Sequence, residues 1–107
     1  MNVHLIDWAA IPSVGEPDGV RRRRIAGAGA ELVLVEIPAG TMADRHSHAH
    51  EQFVQVISGS GALETAAGRE AFKEGSVFHF PPGAWHAAEF LTDTVLVETN
   101  LQEAPRG

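Results

Sequence analysis

The stretch GTMADRHSHAHEQFVQVISG, residues 40–59, carries three histidines and a glutamine at alternate positions and closes on a glycine. Because His46, His48, His50 and Gln52 recur with a period of two, an extended segment would turn all four side chains to the same face. From 52 to 57 the stretch passes into a β-branched and aromatic run, stopped by Ser58-Gly59-Ser60-Gly61, which is the pattern of a strand and its turn.

Reading outward from there, the rest of the chain repeats that pattern. Upstream, residues 3–8 read as a first short strand and 12–19 as a surface loop. Residues 20–25 and 31–37 read as two strands of a hairpin turning at Gly27-Ala28-Gly29-Ala30. Downstream, 62–65, 70–73, 77–80, 86–90 and 94–100 follow at short intervals, each bounded by Gly, Pro or Asp. Eleven Gly and six Pro leave little room for long helices, so the expectation is an all-β sandwich or barrel. With 107 residues and 44% hydrophobic content, one compact domain spanning 1–107 is expected. Phe53, Phe72, Phe78, Phe80 and Phe90 are candidates for its core, and the polar tail 102–107 for a loosely held end.

Fourteen acidic against eight basic residues, net charge -6, disfavour nucleic acid and anionic membrane surfaces as partners. Arg21 to Arg24 form the one basic run, but in a strand at most two of them share a face. No apolar run approaches a membrane span, and Met1-Asn2-Val3-His4 does not begin a basic-then-apolar leader, so a cytoplasmic location is expected. The absence of cysteine rules out disulfides and thiolate ligands, so any metal must be held through nitrogen and oxygen.

His46, His48 and Gln52 make such a site geometrically easy. A further candidate, His86, follows the rigid turn Pro81-Pro82-Gly83-Ala84-Trp85 at the start of a predicted strand. Imidazole nitrogen and amide oxygen suit one divalent ion of the series Fe, Mn, Ni, Zn or Cu. His50 shares the parity of the ligands and is open to three roles: fifth ligand, general base, or rim histidine. Glu51 has the opposite parity and should point outward. His79, between Phe78 and Phe80, and His4 read as structural, and Trp85 is a candidate wall of a substrate pocket.

Two ordered motifs in these segments resemble those of the cupin superfamily. The first runs over 40–59: Gly40, five residues, His46-x-His48, three residues, Gln52, six residues, Gly59. The second runs over 75–90: Gly75, five residues, Pro81-x-Gly83, two residues, His86, with Phe90 where an Asn often closes it. The resemblance implies a double-stranded β-helix of jelly-roll type whose two motifs point His46, His48, Gln52 and His86 at one metal in the barrel mouth. The family's usual fourth ligand is Glu. Gln52 makes the site one negative charge poorer, which also fits cupins that have lost metal and only bind sugars or effectors.

Gly19-Val20-Arg21-Arg22, the His46–Gln52 segment and Phe80-Pro81-Pro82-Gly83-Ala84-Trp85-His86 together resemble the uronate-linearising cupins of pectin and alginate breakdown. Those enzymes use a His, His, Gln, His site and open 4,5-unsaturated uronate monomers to linear keto acids. By that resemblance Glu98 stands where a catalytic Asp is expected, Asn100 where an aromatic is expected, and Arg106 is the only late arginine. The expected activity is thus a metal-dependent conversion of a small molecule by Lewis-acid and acid/base catalysis. A non-catalytic ligand-binding cupin and a metal-dependent dioxygenase are the alternatives. A homodimer, paired through edge strands with the N-terminal strand crossing over, is the expected assembly.

Overall fold

A computed structural model describes residues 3–102. Its strands are β1 (Val14–Gly15), β2 (Arg21–Ala26), β3 (Ala30–Ile37), β4 (Met42–His46), β5 (Gln52–Ser58), β6 (Gly61–Thr65), β7 (Gly68–Phe72), β8 (Val77–Phe80), β9 (His86–Phe90) and β10 (Thr94–Leu101). They form a six-stranded sheet in the order β1-β2-β3-β10-β5-β8 and a four-stranded sheet in the order β4-β9-β6-β7. Every pairing is antiparallel. This is the expected all-β jelly roll.

The alternation in the sequence is what closes the two sheets on each other. In β5 the residues Gln52, Val54 and Val56 are buried while Phe53, Gln55 and Ile57 are exposed, and β3 buries Val33, Val35 and Ile37 in the same way. These side chains meet Phe72 and Phe90 from the second sheet and Phe78 and Phe80 from β8. The Phe72 ring lies edge-on to Phe78 at 5.2 Å and to Phe90 at 5.7 Å, the arrangement that aromatic quadrupoles favour. Gly61 lets β6 approach closely: a Cβ there would overlap the Glu89 carbonyl oxygen and come within 2.6 Å of the Phe72 ring. Phe53, expected in the core, is 37% exposed because its parity in β5 turns it outward.

Three local expectations are corrected. Residues 3–8 form no strand: Val3, Leu5 and Ile6 are exposed, and the Asp7 carboxylate accepts from the Ala9 N–H at 2.9 Å to start a 3-10 turn at Trp8–Ala10. The turn is tied to the sheet by Arg23, whose guanidinium donates to the Trp8 and Ile11 carbonyls. The expected loop 12–19 contains the two-residue strand β1, paired with β2. Strand β4 was unmarked in the sequence because Met-Ala-Asp-Arg-His has no β-branched residue. Among the described residues it is an edge strand paired with β9 alone.

Candidate metal centre

The histidine set comes together, by a different route from the one its spacing suggested. His46 is the last residue of β4, His48 and His50 lie in the following loop, and Gln52 opens β5 in the other sheet. The period of two is therefore carried by strand, loop and strand rather than by one extended segment. His86 opens β9 directly opposite His46, with which it is register-paired. It is delivered there by a type II turn: Gly83 has φ +80, and the Ala84 N–H donates to the Pro81 carbonyl at 3.0 Å. The Gly83 N–H also donates to the His48 carbonyl at 2.7 Å, joining this turn to the histidine loop.

His46, His48 and His86 each present one ring nitrogen within 4.8 Å of the others. Their ring centroids are 4.2 Å apart for His46 and His86 and 5.0 Å for His46 and His48. The ring of His86 is buried and lies flat on Phe80 at 3.7 Å and 4°. Backbone carbonyls settle the tautomers of two of the rings. His46 Nδ1 lies 2.7 Å from the Asp44 carbonyl and His86 Nδ1 3.3 Å from the Ala84 carbonyl. A carbonyl only accepts, so both Nδ1 atoms carry a proton, and in the neutral form of each ring Nε2 keeps the lone pair that a metal-binding imidazole requires. Burial, reinforced by the neighbouring His46, lowers the pKa of His86 to about 4, and burial followed by His46 and His50 lowers that of His48. Oriented imidazoles, with His48 and His86 biased toward the neutral form, fit a divalent ion.

Gln52 is buried and lines the same cavity as His46 and His86. Its Nε2 donates to Asn100 Oδ1 at 2.7 Å, and among the described residues no protein donor meets its Oε1. Glu98 lines this cavity too, as does Arg22. Burial raises the Glu98 pKa, against the pull of Arg22 and Arg24. The remaining volume, about 170 Å³, is walled mainly by apolar side chains such as Val35, Val54, Leu63 and Phe90.

The other candidates lie elsewhere. His50 stacks on His48 at 5.0 Å, outside the three-histidine group, and its Nε2 donates to Asn100 Oδ1 at 3.2 Å. Glu51 points away and pairs with His79 at 2.7 Å. Trp85 does not line the cavity; the Arg45 guanidinium sits 3.8 Å above its ring. Arg22 and Arg24 share the inner face of β2, opposite Val35 and Val33, while Arg21 binds Ser13 and Arg23 the N-terminal turn. Arg106 lies outside the described residues. Sequence reading missed the part played by Asn100. Its signal, a polar residue opposite Gln52, exists only once β10 and β5 are in register.

No helix among the described residues is long and apolar enough to cross a membrane. The chain matches the cupin domain family over residues 33–99, and no curated protein matches it in sequence. Among solved structures it resembles an RmlC-like cupin from Shewanella frigidimarina, with TM-score 0.86 and 19% identity over 95% of this chain and 93% of that one. It also resembles KdgF from Halomonas sp., with TM-score 0.83 and 19% identity over 95% and 96%. Oxalate decarboxylase of Bacillus subtilis, a protein with Mn(II) centres, aligns with TM-score 0.77 and 16% identity over 94% of this chain and 30% of its own. The chain belongs to the cupin domain family.

Proposed function

We propose that the protein is a metal-dependent enzyme acting on a small oxygenated molecule, with 4,5-unsaturated uronates as the substrate class. In this reading His46, His48, His86 and Gln52 hold one divalent ion of the series Fe, Mn, Ni, Zn or Cu. The observation that carries it is the meeting of the three imidazoles of His46, His48 and His86, two of which line one cavity together with the Gln52 amide and the half-buried carboxyl of Glu98. The Mn(II) centres of oxalate decarboxylase, on the same fold, support a metal here. The His, His, Gln, His pattern supports the uronate class.

When bound, the ion supplies Lewis-acid polarisation of a substrate oxygen. The chain's own residues supply the rest. Glu98, whose burial favours its protonated form, would give and take the proton that opens the ring. Arg22 brings a positive fork into the same cavity, suited to a carboxylate. The apolar walls of the cavity, which is open to solvent at the histidine end, would pack against the uncharged parts of the substrate. The test is turnover of unsaturated uronates by metal-loaded and chelator-treated protein, with oxygen uptake followed in parallel. Turnover that needs metal and consumes no oxygen is expected; unchanged turnover after complete metal removal overturns the mechanism, and stoichiometric oxygen uptake makes the protein a dioxygenase instead.

One observation favours a second reading. The cavity volume is near that of an engineered cavity of about 150 Å³ that binds benzene, and its walls are mainly apolar. A compact phenolic effector would fill it more completely than a hydrated sugar acid, and the protein would then bind without turnover. Calorimetric titration with simple phenols separates the two: saturable binding together with inactivity on every uronate supports the binding module.

A further inference from the structure

We infer that Asn100 and Glu31 are positioning residues that fix which end of the Gln52 amide faces the three histidines. The inference rests on the reading of Gln52 as a metal ligand. A glutamine in that place has a right and a wrong way round, because only the amide oxygen can coordinate; a glutamate would not. Something must therefore set its polarity.

The six-stranded sheet contains a device that does so. Glu31, Asn100 and Gln52 are directly opposite one another across three adjacent strands, β3, β10 and β5. An ionised carboxylate only accepts hydrogen bonds, so Asn100 must turn its Nδ2 toward Glu31 Oε1, 3.3 Å away. That leaves Asn100 Oδ1 facing β5, where it too can only accept, and Gln52 must turn its Nε2 to it, at 2.7 Å. Oε1 of Gln52 is then the atom left for the cavity. His50 Nε2 donates to the same Oδ1 at 3.2 Å, which reinforces its acceptor role. At the other end Arg24 Nη1 holds Glu31 Oε1 at 2.9 Å. The polarity of a surface ion pair is thus passed through two amides to the histidine cluster.

The experiment uses the full chain with Zn(II) as the probe, reading affinity by competition with a chromophoric chelator. In metal-free protein, exchange of the Gln52 side-chain NH2 is followed by NMR, and melting curves check folding. Asn100→Leu is expected to lower Zn(II) affinity about ten- to a hundredfold, the usual cost of losing an outer partner of a metal ligand, and to speed Gln52 NH2 exchange. Glu31→Leu, at a more exposed site, is expected to act in the same direction by a smaller factor. Gln52→Glu is expected to restore affinity in either background, since a carboxylate has no wrong end. Unchanged affinity and exchange in the two Leu variants, or failure of Gln52→Glu to restore binding, overturns the inference while leaving the metal site standing. A wild-type chain that binds no Zn(II), or binds it equally well as His86→Ala, overturns the metal reading and the positioning role with it.

Discussion

Acidification should loosen the metal-free protein, and His86 should be the largest single cause. Its ring is 5% exposed, packed flat on Phe80, and burial with the adjacent His46 lowers its pKa from the ordinary 6.5 to about 4. Between those two values the unfolded chain takes up a proton that the native chain refuses. Stability from this residue is therefore complete above pH 6.5 and is lost as the pH falls toward 4. The interval corresponds to about 3.4 kcal/mol at 1.36 kcal/mol per pH unit. The cavity opens to solvent, and screening reduces this to about 2 kcal/mol. Urea unfolding of chelator-treated protein at pH 7.5 and pH 4.5 measures the loss, and His86→Asn serves as the reference. Carboxylates that titrate in both proteins cancel in the comparison. The wild type should lose about 1.5 kcal/mol more than His86→Asn between these two pH values, since pH 4.5 stops short of the full interval. Parallel pH profiles for the two proteins would refute the reasoning, and a steeper profile for the variant would reverse its sign.

Three other outcomes are expected. Glu98→Gln should lower turnover of an unsaturated uronate at least about 100-fold while leaving Zn(II) affinity within a few-fold, as measured by initial rates and competition titration. Gly61→Ala should cost about 3 kcal/mol in chemical denaturation, since its Cβ would overlap the Glu89 carbonyl oxygen and strike the Phe72 ring. The outer face of the six-stranded sheet exposes Leu32, Phe53, Ile57 and Val77, so the protein should sediment as a homodimer, and Phe53→Glu should shift it toward the monomer.

Much of the fold was legible because its strands obey a period of two against a buried core: 77–80 and 86–90 were read to the residue, and β5 to within one. What failed was whatever depended on a partner. Residues 3–8 are apolar enough for a strand but pair with no neighbour among the described residues, whereas β4 is polar yet pairs with β9. The histidine set was legible from spacing and from the Pro-Gly turn before His86. Its geometry was not, since His48 stands in a loop between two sheets. Asn100 is the sharpest case: against the family pattern it looked like a missing aromatic, and only the register of β10 on β5 shows it holding Gln52.

His46 and His86 belong to the four-stranded sheet and Gln52 to the six-stranded one. An ion gripped by all three would be a rivet through both walls of the barrel, in a chain that has no cysteine with which to make any other cross-link. Loading the metal would then do more than arm a reaction. It would set how far the two sheets can part at that end, so the same ion would govern both the chemistry of the mouth and the width through which a molecule enters it.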